Sequence, residues 1–136
     1  MTVDHIDSYY ARTRTPGPDR PSLEADLETD VAIIGGGLAG LSAALSLIER
    51  GHKDVTVIEA RKVGWGASGR NGGFVSPGFA GGMNAVIKRV GHEKALALYG
   101  LTREAIRLVR QRIDRHAIAF EPVDTGMIKA WWTDDT

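Results

Sequence analysis

Gly35, Gly37 and Gly40 stand at G-x-G-x-x-G spacing within the run GGGLAG, and an acidic residue, Glu59, follows Gly40 by 19 residues. Residues of these types at these intervals would hold a dinucleotide. The first glycine allows a tight turn out of a strand, and the second lets backbone approach a pyrophosphate with no Cβ in the way. The third lets a helix pack closely on that strand. A helix starting there turns unpaired N–H groups and the positive end of its dipole toward the phosphates. A carboxylate about 20 residues on accepts hydrogen bonds from a ribose. Taken alone, the glycines fit any turn and Glu59 any solvated strand end. The flanking segments decide between these readings.

Val31–Ile34 (VAII) is mostly β-branched and predicts a buried strand over Asp30–Ile34. After the glycines, Leu38, Leu41, Leu45 and Ile48 recur at steps of 3, 4 and 3, the face of a helix over Leu38–Arg50. A second apolar run, Asp54–Ile58 (DVTVI), predicts another strand that ends at Glu59. Val31–Ile48 is also an uncharged run of 18 residues with a GxxxG pair at Gly36 and Gly40, the length and pattern of a membrane span. Three central glycines would each cost such a helix roughly 1 kcal/mol, and the change of period is unexplained by one span. Strand, glycine turn, helix, strand and acid in that order predict a dinucleotide-binding βαβ unit without a membrane span.

Arg61–Gly82 carries eight glycines and no helical periodicity. A loop of that length within a domain is usually functional or disordered, and Trp65, Phe74, Val75 and Phe79 argue against disorder. Such a chain suits an extended ligand, with glycine where backbone comes close and Ser68, Arg70 and Asn71 as polar contacts. A ligand continuing past adenosine and pyrophosphate points to FAD more than to a nicotinamide cofactor.

Of 136 residues, 17 are Lys or Arg and 17 are Asp or Glu, so the formal net charge is zero. No whole-molecule field attracts nucleic acid or an anionic membrane. Cysteine is absent, which excludes disulfides, thiolate catalysis and Cys-ligated metals within the chain. Residues 1–20 lack the apolar stretch of ~7–15 residues that an export signal needs, so the expected compartment is the cytoplasm. His5, His52, His92 and His116 share no short ligand spacing, and no metal site is assigned. No Ser–His–Asp or paired-carboxylate pattern appears, so no catalytic residue is assigned. Flavin chemistry fits that absence, since the protein then supplies chiefly orientation and electrostatics.

Thr29–Gly73 resembles the N-terminal FAD-binding region of the D-amino-acid-oxidase-type (DAO) flavoproteins. The run GASGRNGG at Gly66–Gly73, with SYYA at Ser8–Ala11, is similar to the gamma-glutamylputrescine oxidase branch of that family. The resemblance implies FAD held at its pyrophosphate by Gly35, Gly37, Leu38, Ala39 and Gly40, and at its adenosine ribose by Glu59. It places Ala60 and Arg61 near the adenine, and Ala67, Ser68, Asn71, Gly72 and Gly73 near the pyrophosphate or flavin ring. It implies a small-molecule amine or amino-acid substrate, a gamma-glutamylated polyamine in the named branch, oxidised at a C–N bond with O2 or another electron acceptor. Family members are much longer and carry a further glycine–aspartate motif and most of a substrate domain. The expectation is therefore an N-terminal portion of an FAD-dependent amine or amino-acid oxidoreductase, inactive by itself.

The rest of the chain is read accordingly. Residues 1–29, with three prolines in Arg14–Pro21, form a surface extension, and residues 30–82 form the FAD-binding βαβ unit with its glycine-rich flavin loop. Residues 83–136 hold one long amphipathic helix, Glu93–His116, and the first hairpin of an α+β substrate domain at Ala117–Trp132. Arg103, Arg107, Arg110, Arg112 and Arg115 lie along that helix among Glu104 and Asp114, with no stacking aromatics, and read as a solvated side. Trp131 and Trp132 alternate across a strand and read as packing residues. Two alternatives stand beside the FAD reading: a nicotinamide-dependent dehydrogenase, and a nucleotide-binding module without activity of its own.

Overall fold

A computed structural model of the chain describes residues 4–119. These sort into two compact units, one over Met1–Gly73 and one from Phe74 onward. In the first, a short helix α1 (Tyr9–Thr13) precedes strand β1 (Val31–Ile34), helix α2 (Leu38–Glu49) and strand β2 (Val55–Ile58). β1 and β2 pair in parallel, in the register Val31↔Val55 to Ile34↔Ile58. The uncharged run therefore divides into strand, turn and helix, as its change of period requires. Among the described residues no helix is long and apolar enough to cross a membrane.

α2 starts where Gly37 serves as N-cap and ends at Glu49, where the Arg50 N–H returns to the Leu47 carbonyl at 3.1 Å and the Gly51 N–H to the Ile48 carbonyl at 2.9 Å. Gly51 follows at φ 96°, a left-handed conformation that closes the helix into the turn before β2. The Gly35 N–H donates to the Ile58 carbonyl at 2.7 Å, so the glycine turn leaves from the very end of the sheet. β1 alternates half-buried Val31 and Ile33 with exposed Ala32 and Ile34, because only one of its faces lies against α2.

The N-terminal extension is more ordered than its prolines predict. Ser8 caps α1 by accepting the Ala11 N–H at 3.2 Å, and Arg12 pairs with Asp7 at 2.6 Å. That ion pair holds the Asp7 carboxyl below its usual range.

The second unit contains a helix that the periodicity of Glu93–His116 does not announce. α3 (Gly82–Val90) precedes α4 (His92–Arg115) and packs on it, with Gly91 at φ 83° reversing the chain between them. The pattern for α3 is present in Met83, Val86, Ile87 and Val90, at steps of 3, 1 and 3. Its glycine-rich approach hides it. α4 matches the predicted long helix within one residue at each end, a shift without physical meaning. The hairpin expected at Ala117–Trp132 lies outside the described residues, apart from Ala117–Ala119.

Only Ala44 and Ala95 are buried hydrophobic side chains among the described residues, whereas Ile34 is 80% and Phe74 92% exposed. Exposed apolar surface of this kind, beside two strands that each have an open edge among the described residues, favours association. The 136-residue polypeptide expressed by itself is expected to self-associate or to unfold without a sharp urea transition. A monodisperse monomer with one cooperative transition would contradict this.

Candidate functional site

The glycine turn, the end of β2 and the loop after it converge in the first unit. Gly35 leaves β1 at φ 105°, a conformation that L side chains rarely adopt. The buried Gly36 N–H donates to Glu59 Oε2 at 2.6 Å, and Glu59 Oε1 accepts the Arg61 N–H at 3.1 Å. Glu59 is therefore no loose strand end: it ties the turn to β2. A carboxylate offers about four lone-pair directions, so two remain for a ribose diol.

Ser68 lies in a single 3-10 turn, Ala67–Gly69, and its Oγ accepts the Leu38 N–H at 2.9 Å. Gly37 has no side chain with which to cap α2, and a hydroxyl 30 residues away performs that role. The approach is close, since a Cβ built on Gly37 would lie 3.0 Å from Ser68 Oγ. The next two N–H groups, of Ala39 and Gly40, have no acceptor among the described residues, and Ala39 is exposed. No acidic side chain occupies the first turn of α2. Free donors at a helix start, a positive dipole end and a glycine opening form a cradle suited to an anion such as pyrophosphate.

The loop is fixed on the turn by backbone. The Gly64 N–H donates to the Gly36 carbonyl at 2.9 Å, and Gly69 comes so close to the Gly64 carbonyl oxygen that a Cβ there would collide with it. Asn71 closes the end of the loop, donating from Nδ2 to the Ser68 carbonyl at 2.8 Å and accepting the Gly73 N–H at 2.9 Å. Gly72 and Gly73 continue this local turn, with Gly73 at φ 69°.

The structure thus brings Gly35, Gly37, Leu38, Ala39, Gly40, Glu59 and Ser68 around one turn, with Ala60 and Arg61 exposed directly after Glu59. Ala67 sits beside Ser68, whereas the described bonds of Asn71 and Gly73 stay within the loop. Sequence reasoning missed Gly36, Gly64 and Trp65. The indole Nε1 donates to the Asp4 carbonyl at 3.1 Å, and the Arg61 guanidinium lies over the ring at 3.7 Å from its centre. Lys62 pairs with Asp19 at 2.9 Å and holds that carboxyl below its usual range. Gly36 carries a readable signal in the glycine run and Gly64 in the composition of the loop; the Trp65 contacts do not.

Strand, glycine turn, helix and parallel strand with a carboxylate at its end define the nucleotide-binding part of a Rossmann-like α/β fold. The chain belongs to the DAO family of FAD-dependent oxidoreductases, whose family model matches residues 30–136. It is 43% identical over 115 residues to the probable oxidoreductase OrdL of Haemophilus influenzae, covering 85% of this chain and 26% of that protein. It is 37% identical over 116 residues to the gamma-glutamylputrescine oxidoreductase of Escherichia coli, covering 85% of this chain and 27% of that protein. The chain therefore spans about a quarter of the length of these curated relatives. No solved structure matches it.

Proposed function

We propose that this chain supplies the adenosine-diphosphate half of an FAD site in an oxidoreductase that oxidises a carbon–nitrogen bond of an amine or amino acid. The observation that carries the reading is the closure of the glycine turn by two oxygens from distant residues, Glu59 on Gly36 and Ser68 on Leu38. That closure leaves the Ala39 and Gly40 N–H groups as donors for pyrophosphate and two lone-pair directions of Glu59 for the ribose. Gly37 provides the close approach, Gly35 the turn, and Gly40 the packing of α2 on β1. Ala60 and Arg61 adjoin the adenine, and Ala67, Ser68, Asn71, Gly72 and Gly73 face the pyrophosphate or flavin ring. Bound FAD supplies the two-electron acceptor for an amine-to-imine oxidation, with O2 or another acceptor completing turnover. The relative named for gamma-glutamylputrescine supports a gamma-glutamylated polyamine as the substrate class.

The absorbance spectrum of the purified whole protein tests this directly: flavin bands support it, and a colourless protein with affinity for a nicotinamide cofactor overturns it. A finer test is Glu59→Ala. Losing a charged acceptor should weaken FAD by about 1.5–3 kcal/mol. The same substitution leaves the buried Gly36 N–H without its partner, so thermal stability should fall as well. Equal FAD dissociation constants for variant and parent would remove Glu59 from the ribose site.

A further inference from the structure

Trp65 is half-buried between the two parts of the loop that the nucleotide site uses, six residues after Glu59 and three before Ser68. It is fixed from both directions. Gly64, the preceding residue, donates its N–H to the Gly36 carbonyl of the glycine turn at 2.9 Å, and the indole N–H reaches the Asp4 carbonyl at 3.1 Å. Onto this fixed ring comes the Arg61 guanidinium, 3.7 Å from the ring centre, with Arg70 further off at 5.7 Å. Arg61 makes no ion pair among the described residues and is otherwise exposed. Its backbone N–H is bound to Glu59 Oε1 at 3.1 Å, so the base of the side chain is anchored to the same carboxylate.

We propose that Trp65 is a positioning residue for the nucleotide, its indole holding the Arg61 guanidinium as a flat platform on which adenine stacks. The inference rests on the FAD reading above. With the ribose on Glu59, the base attached to it lies at the end of β2, where Arg61 stands. A planar guanidinium stacks on aromatic faces, and a lysine ammonium does not reproduce that plane. A free arginine side chain would lose much rotamer freedom on binding; one already lying on an indole loses less, which raises affinity without a new contact. Trp65 acts through Arg61 and does not itself touch the nucleotide.

The test is a double-mutant cycle on FAD affinity in the whole protein, with ADP as a second probe lacking the flavin. Trp65→Ala and Arg61→Ala should each weaken both ligands roughly threefold to tenfold, the range for a cation–π pair turned into a binding ratio. The double variant should be no weaker than either single one, because one residue works through the other. Trp65→Phe keeps an aromatic face and should bind within about twofold of the parent, whereas Arg61→Lys should resemble Arg61→Ala. Additive losses, or parent-like affinity in Arg61→Ala, overturn the platform while leaving the FAD reading intact. Should Trp65→Ala fail to fold, the Arg61 variants and Trp65→Phe still decide the matter. A parent protein that binds neither FAD nor ADP overturns both inferences.

Discussion

Gly40→Ala is expected to disrupt the βαβ unit, although alanine is the better helix former. At an open helical position the exchange would stabilise by about 1 kcal/mol. At Gly40 the added Cβ is driven into the Gly35 carbonyl oxygen and meets Ile33 Cγ2 at 3.4 Å. The obstacle is backbone of the glycine turn, which no rotamer change can move. Overlap of this kind costs about 3 kcal/mol or more, and it falls where β1, the turn and α2 meet. Gly100→Ala in α4 is the control, since a Cβ there meets nothing within 4 Å and should raise stability slightly. Hydrogen exchange of the β1 and α2 amides, together with thermal unfolding, measures both. Protection in Gly40→Ala equal to that of the parent would show that α2 does not need this contact.

Gly37→Val should do the opposite, sparing the fold and removing the cofactor. The nearest atom to a Cβ at Gly37 is the Ser68 hydroxyl at 3.0 Å, the end of a side chain that can rotate away at the cost of its bond from the Leu38 N–H. Valine is a poor N-cap, so a loss of about 1 kcal/mol in stability is expected, modest beside Gly40→Ala. In the proposed FAD site its branched side chain, however, would occupy the opening through which pyrophosphate reaches the Ala39 and Gly40 N–H groups. FAD affinity should fall by roughly two orders of magnitude or more, equivalent to about 3 kcal/mol. Unchanged flavin content in purified Gly37→Val protein would displace the phosphate site from this turn. Together the two variants separate the glycine that builds the unit from the glycine that admits the ligand.

What was legible in the residues was local. β1, the glycine turn, α2 and β2 follow from a β-branched run, a cluster of glycines and a switch of apolar period, each contained within a few residues. Glu59 was marked by its interval from Gly40. What was not legible depends on where the chain returns. Nothing in the neighbourhood of Leu38 announces that a serine 30 positions later will cap it, and nothing near Trp65 announces Asp4. α3 was hidden for a different reason: nine residues between glycines give an apolar face too short to stand out from the loop before it.

The pairing of Val31 with Val55, the Gly36–Glu59 bond and the Leu38–Ser68 bond span 24, 23 and 30 residues of chain. Closing loops of such lengths costs little more than closing shorter ones, because the entropic cost grows only with the logarithm of length. In terms of timing, the cradle draws on no residue after Asn71 for its own closure. During synthesis every residue that this closure uses has been made once Asn71 is added, at about 5–20 residues per second, within seconds of the first strand. The residues of the proposed nucleotide half all precede the helices from Gly82 onward.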